Sequence, residues 1–413
     1  MEHTKSFSKK KQFFVFTNAG KPVWTRYGNE TDLITFIGSV TAILCNFQQY
    51  YRNQQDTLRF IKTKDVNIVF LCTQALYYVC VCKNNETIES IYQQLGMLHS
   101  KVISTLTNNI TTMLISRPNY DARNLMGGTH SSLDCMIKTT ARCLHFIKGF
   151  GPSRMPSNQR NMIASIFKNN IHSDVVYGFV MTTNYVIYRY TRKNVGLHHI
   201  DAALLSNLIT SYTSLRSTMS WTPICLPHFS DEGFLYTWVT LMQESNIFIV
   251  LLSDNASAFK ELKTCGNAIE AELEGIKLAI EESISCMPYP VYTFDVKEVN
   301  HFVYFSKFYD QFVMSGTHPA NFIHLPELPK EYYQQLMIRY NQAHSLSEFI
   351  EYYKGNYTKV DIYRNEMIVC IRNQDYELLA SMSSIIPINT CVQVCSQLCK
   401  TLKQEESNLF IPK

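Results

Sequence analysis

Between Lys11 and Tyr51 the hydrophobic pattern changes its period, from two to three or four. Alternation around Phe13 and Val15 spells a strand, and Val23-Trp24-Thr25-Arg26-Tyr27 spells a second. Between them Asn18-Ala19-Gly20-Lys21-Pro22 turns the chain, because glycine tolerates positive φ and proline fixes its own. Gly28 breaks the second strand and Asn29 is placed to cap a helix. Leu33, Phe36, Ile37, Val40, Ile43, Leu44 and Phe47 then fall on one broad face, with Thr35, Ser39, Asn46 and Gln49 mostly elsewhere. One side of that helix can lie on the hairpin.

The same order of elements recurs. Thr57 to Lys62, Asn67 to Cys72 and Leu76 to Cys82 read as strands and Glu86 to Leu106 as a helix, so the first unit is strand, strand, helix, three strands, helix. Shorter helices follow over 110 to 148, up to a break at Gly149-Phe150-Gly151-Pro152. The second pass runs through a hairpin (Val175 to Met181, Tyr185 to Tyr190), a helix from Ala202 to Tyr212 capped by Asp201, three strands (Pro223 to Leu226, Phe234 to Met242, Ile247 to Leu252) and one long helix from Ala256 to Ser283. Beyond Pro288-Tyr289-Pro290 a third hairpin (His301 to Ser306, Gln311 to Ser315) leads into a helix from Pro329 to Lys354. Strands over Tyr357 to Tyr363, Glu366 to Arg372 and Glu377 to Ser381, and a helix over 390 to 405, complete it.

Three passes at intervals of roughly 130 residues predict three α/β domains, at 11–148, 149–290 and 291–413, behind a flexible basic arm over 1–10. Strands joined by tight hairpins must be antiparallel, so each domain is expected to be a largely antiparallel five-stranded sheet with helices packed on its faces.

Composition narrows the function. Of the 413 residues 46% are hydrophobic and 13% aromatic, with only 17% charged, which favours apolar surface for a partner. A net charge of +4, with no interleaved basic and aromatic motif, sets nucleic acid aside. Thirteen cysteines, an odd number, without an apolar leader after Met1, read as reduced cytosolic thiols. Cys80 and Cys82 share a strand face, and Cys391, Cys395 and Cys399 a helix face; without histidines at matching spacing they read as core thiols, and no metal or cofactor is expected. The uncharged run Leu33 to Tyr51 holds too many polar residues for a membrane span.

The chain lacks G-x-S-x-G, P-loop, G-x-G-x-x-G, H-E-x-x-H, EF-hand and C-x-x-C motifs. His198-His199 beside Asp201 reads as a helix start, and Glu274 with Lys277 as a surface ion pair. Two stretches resist so plain a reading. Trp24 and Arg26, two apart on a strand, share a face that either packs on the domain's own helices or meets a partner. In Ser220 to Trp238, Pro223 and Pro227 exclude a central strand while Trp221, Ile224, Leu226 and Phe229 want burial, so the segment is an edge contact surface or a buried domain-joining piece.

At these residues the chain resembles a known family. FFVFTNAGKPVWTRYG, SWTPICLPHFSDEGFLYTWVTLMQESNIFIVLLS and HFVYFSKFYDQFVMS, in this order, closely resemble the Mon/SAND vacuolar-fusion proteins, and the likeness runs through the chain from Lys11. The resemblance implies three longin domains and a heterodimer with a Ccz-type longin protein. It further implies guanine-nucleotide exchange on the late-endosomal Rab GTPase without covalent catalysis, driving endosome maturation and fusion. The rival class is a longin scaffold or tether that does not exchange nucleotide. By the same resemblance the hairpin, through Asn18, Lys21, Pro22, Trp24, Thr25, Arg26 and Tyr27, and the helix Asn29 to Tyr51 meet the GTPase and the Ccz-type partner. Lys5, Lys9, Lys10 and Lys11 are expected to give a weak hold on anionic membrane, for a cytoplasmic protein recruited peripherally to late endosomes and vacuoles. Such proteins usually carry a long acidic region before the first strand, and here about ten residues precede it.

Overall fold

The computed structural model describes residues 11–28, 33–51, 57–83, 86–140, 151–212, 219–285, 287–289, 291–316, 335–344 and 356–412. The basic arm, the expected cap Asn29 and most of the expected helix Pro329 to Lys354 lie outside these residues. The first domain contains β1 (Gln12–Thr17), β2 (Pro22–Thr25), α1 (Ile34–Tyr50), β3 (Phe60–Lys62), β4 (Val66–Cys72), β5 (Leu76–Lys83), α2 (Ile88–Leu106), α3 (Asn109–Ser116) and α4 (His130–Thr140). The second contains α5 (Ser157–Asn170), β6 (Val175–Met181), β7 (Val186–Thr191), α6 (His199–Ser211), β8 (Ser220–Leu226), β9 (Ser230–Leu241), β10 (Phe248–Ser253), α7 (Phe259–Leu273) and α8 (Lys277–Ser285). The third contains β11 (Val299–Ser306), β12 (Gln311–Met314), the helical residues 335–344 (α9), β13 (Tyr357–Ile362), β14 (Glu366–Arg372), β15 (Tyr376–Ser383), α10 (Ile388–Gln404) and α11 (Glu406–Leu409).

Three five-stranded sheets result, with one topology: β2-β1-β5-β4-β3, β7-β6-β10-β9-β8 and β12-β11-β15-β14-β13. Neighbouring strands run antiparallel, as in Phe14 opposite Val79 and Tyr304 opposite Leu378. The second strand of each domain lies at one edge and the third at the other, so the chain between them must cross a sheet face. In the first domain α1 makes that crossing, with Ile37, Val40 and Leu44 set against Phe14, Phe16, Phe70 and Val79. Residues one out of step, Phe13, Val15, Val69, Tyr78 and Cys80, meet Ile91, Leu95, Leu98 and Val102 of α2 on the opposite face. The strand period of two thus sorts one hydrophobic run into two cores.

The described residues divide into two compact units, 1–141 with Cys225–Phe234, and 142–224 with 235–413. In the first, Cys225 from the β8–β9 tip joins the core, and the Asn108 amide donates to the Asp231 carbonyl at 2.7 Å. The stretch containing Pro223 and Pro227 is therefore an edge strand whose end is buried: Ile224, Cys225 and Leu226 are inside and Pro223 is exposed. In the second unit the C-terminal segment ties two domains. Gln311 donates to the Ile411 carbonyl at 2.7 Å and accepts from its amide at 2.8 Å, and Arg160 of α5 donates to the carbonyls of Ser153 and Asn408 at 2.7 and 3.0 Å. Burial lowers the Arg160 guanidinium to about 10.

Three local readings are corrected. The helix expected from Ala256 to Ser283 is two, interrupted by a 3-10 turn at Glu274–Ile276, where the Glu274–Lys277 pair forms at 3.2 Å. Asp201 does not cap α6: the His198 ring accepts from the Ile200 amide at 3.4 Å, and Asp201 is buried within the first turn. Helix α5 was not expected, because its polar content masks the face formed by Ile163, Ile166 and Phe167. The described cysteines are all free thiols, with Cys80, Cys82, Cys391, Cys395 and Cys399 in the cores.

Gly266 of α7 lies flat against the indole of Trp238 on β9, and a Cβ there would collide with the ring. Gly266→Ala is expected to cost about 1–3 kcal/mol through overpacking, measured as a fall in denaturation midpoint at unchanged slope.

Candidate functional site

The first hairpin has an inner and an outer side. Backbone pairing continues past β2, the Arg26 amide donating to the Phe13 carbonyl at 3.0 Å, so Trp24 and Arg26 stay on one face of an extended strand. That face meets α4. The Trp24 indole N–H donates to His130 Nδ1 at 2.8 Å, and Arg26 Nε donates to Asp134 Oδ1 at 2.9 Å. Residues two apart on a strand are separated by about 6.8 Å and residues four apart on a helix by about 6 Å, so the two ladders match rung for rung. Burial alone pushes the Asp134 carboxyl up, but hydrogen bonds from Lys138 and Arg26 outweigh it and hold the group below its ordinary value.

Trp24 is 3% exposed and belongs to the core beside Val23, Met126 and Leu133. The expectation that Trp24 and Arg26 are displayed to a GTPase is therefore corrected: they join the hairpin to α4, because an indole and a guanidinium on the inward strand face find an acceptor and a carboxylate there. Thr25 is also inside, accepting from Gln12 Nε2 at 3.1 Å and donating to the Tyr27 carbonyl at 3.0 Å. Asn18 is half-buried, with its amide on the Gln74 carbonyl at 3.2 Å, and Pro22 is half-buried. Lys21 and Tyr27 are exposed, and the Arg26 guanidinium lies 5.0 Å from the Tyr27 ring. Lys11 is not free for a membrane: its ammonium is held by Glu86 at 2.5 Å and Gln94 at 2.7 Å. Lys5, Lys9 and Lys10 lie outside the described residues.

The larger displayed surface is the outer side of α1. Ile34, Ile43 and Tyr50 are exposed there, at 53%, 46% and 84%, and between them Gly38 has open space where a side chain would stand. Ser39, Ala42, Cys45, Asn46 and Gln49 share this side, and no charged residue occurs from Leu33 to Tyr51. An uncharged helix face with small residues at its centre lets another backbone approach closely without stripping water from a charge. Sequence periodicity placed Ile43 inward; its position on the helix puts it at the rim, opposite Ile34.

Profiles of the first, second and third longin domains of FUZ, MON1 and HPS1 match residues 11–136, 173–269 and 298–406. The chain belongs to the Mon/SAND family of longin proteins. It is 25% identical to the vacuolar fusion protein MON1 homolog of Oryza sativa subsp. japonica, the alignment taking in 98% of this chain and 75% of that one. It is 26% identical to the human vacuolar fusion protein MON1 homolog A, over 97% and 60% of the two chains. With Protein SAND of Takifugu rubripes identity is 25%, over 98% and 76%. The three longin domains matched are the three five-stranded antiparallel sheets with their packed helices. Among the described residues no helix is long and apolar enough to cross a membrane, and no group of three His, Cys, Asp or Glu side chains is placed to hold a metal.

Two outcomes test the inner side. Trp24→Ala is expected to lose about 3–5 kcal/mol of stability, seen as an early unfolding midpoint. Because the folded Asp134 carboxyl is depressed, its contribution is complete above the unfolded value near 3.8 and disappears as pH falls through the lower folded value. Asp134→Asn should therefore flatten the acid limb of a stability profile; an unchanged limb would show that the Arg26–Asp134 pair contributes nothing.

Proposed function

We propose that this chain is one subunit of a guanine-nucleotide exchange factor in vacuolar fusion, pairing with a Ccz-type longin protein to release GDP from the late-endosomal Rab GTPase. The observation that carries the reading is the exposed, uncharged outer face of α1, in a family whose named relatives are vacuolar fusion proteins. The face offers room for a partner helix beside Gly38 and an aromatic and aliphatic rim, Tyr50, Ile34 and Ile43, for the GTPase. Tyr27 and Lys21 lie on the adjoining hairpin. Trp24 and Arg26 act behind this surface by fixing the hairpin to α4.

Exchange needs no nucleophile. A GTPase that holds nucleotide at picomolar levels has about 16 kcal/mol of binding free energy, and release is correspondingly slow. A factor that binds the nucleotide-free form more tightly weakens nucleotide binding by the same free energy, through linkage. Recruitment is peripheral in this reading, with Lys5, Lys9 and Lys10 each adding about 1 kcal/mol of attraction to an anionic surface and a protein recruiter supplying the rest.

The test is labelled-GDP release from the Rab with the chain alone, the partner alone and both. The pair is expected to accelerate release and the single chain to do little. Ile43→Asp should slow release by the pair roughly 30-fold or more, a hot-spot loss of about 2 kcal/mol, with the unfolding midpoint unchanged because the side chain is exposed. Binding of both partners without faster release would instead assign the chain to the tethers.

A further inference from the structure

Helix α5 meets the C-terminal segment through one buried arginine. Arg160 is 2% exposed, and both hydrogens of its Nη2 are spent on backbone, donating to the carbonyls of Ser153 and Asn408 at 2.7 and 3.0 Å. A guanidinium donates through Nε and Nη1 as well, and here both are buried with no acceptor among the described residues. Ser153 is fully buried beside it: its carbonyl holds Arg160, and its hydroxyl has no hydrogen-bond partner among the described residues. The Met155 amide donates to the Asn408 carbonyl at 3.1 Å, so these groups stand where the second and third domains are joined.

Among the described residues no carboxylate faces this guanidinium. The groups that act on it electrostatically are the phenols of Tyr289 and Tyr309, and phenols are neutral at pH 7. The two acids of the C-terminal segment are engaged elsewhere: Glu405 with Arg154 at 3.3 Å and Asn408 at 3.2 Å, and Glu406 with the Tyr304 hydroxyl at 2.9 Å. Lowered by burial to about 10, the Arg160 guanidinium still carries its charge at neutral pH. A cation buried without a counter-charge is costly. Water would satisfy the N–H groups and leave that cost standing, whereas an anion removes both. The shape of the anion is limited too. A carboxylate or phosphate forks a guanidinium through Nη2 together with Nε or Nη1, and with Nη2 committed to carbonyls neither fork is open. A monatomic anion needs one flank alone.

We propose that Arg160 and Ser153 form a binding site for a monovalent halide, chloride in the cell, seated against Nε or Nη1 of the guanidinium and accepting from the Ser153 hydroxyl. Bound there, the anion strengthens the hold of α5 on the segment that Gln311 of β12 also grips, and so fastens the second domain to the third. The site is separate from the face of α1 and does not depend on nucleotide exchange.

The test is the denaturation midpoint of the full chain as potassium chloride replaces potassium gluconate at constant ionic strength. A Kd of about 10 mM predicts an unfolding constant about tenfold lower at roughly 150 mM chloride than at roughly 5 mM, and bromide should act in the same way. Ser153→Ala, which keeps the arginine, should weaken the response several-fold, and Arg160→Met should abolish it. If Arg160→Met fails to fold, a bromide-soaked crystal of the native chain decides, through an anomalous peak within hydrogen-bond distance of Nε or Nη1. A midpoint indifferent to chloride, or ordered water in place of bromide at the guanidinium, overturns the proposal; a bromide peak without the chloride response is binding at crystal concentration only and overturns it as well.

Discussion

Strand β1 is buried along its whole length on both faces, and the arrangement of the first domain follows from that constraint. A strand with two apolar faces needs a helical layer on each. Since β1 is flanked by β2 and β5, the chain after β2 must cross one face to reach the far edge, leaving the other face for helices that come after β5. The same order recurs in the other two sheets, where β6 is buried throughout and β11 almost throughout. Buried strands of this kind cannot double as display surfaces. Function must therefore sit on the outer sides of the covering helices and on the turns.

The first hairpin illustrates the division. Trp24 and Arg26 are residue types common at binding hot spots, yet strand direction turns them toward α4, where His130 and Asp134 complete their hydrogen bonds. The display surface lies on the other side of the sheet, where α1, anchored by Ile37, Val40 and Leu44, presents Ile34, Gly38, Ala42, Cys45 and Tyr50 with no charge among them. Exposed on a helix whose inner face is anchored in a core, these side chains are held for contact through shape rather than through reactive groups.

Much of the fold is legible because short continuous apolar runs bounded by turn residues mark β1 and β10 and period-3.6 patterns mark α2 and α10. The identical order of elements in three passes then gave the three sheets. Helix α5 was illegible because Asn158, Gln159, Asn161 and Asn170 dilute its apolar face, and the break between α7 and α8 because Glu274-Gly275-Ile276 keeps helical periodicity across a 3-10 turn. At the candidate site the sequence could show that Trp24 and Arg26 share a face, since that follows from strand geometry. Which way the face points depends on α4, more than a hundred residues away in the chain. The cap of α6 was misassigned because Asp is the more common capping residue, whereas here His198 supplies the acceptor and Asp201 is drawn inside.

In the proposed function the outer side of α1 is the surface that partners cover. Cys45 stands on that side and is the exposed thiol among the described cysteines, which makes it a native reporter that needs no mutation. Its rate of alkylation by a maleimide, read by mass spectrometry, should be high in the isolated chain and fall at least about tenfold when the Ccz-type partner and the nucleotide-free GTPase are bound, as expected for a side chain excluded from water by an interface. An unchanged rate at Cys45 in a complex shown to be assembled would contradict the account.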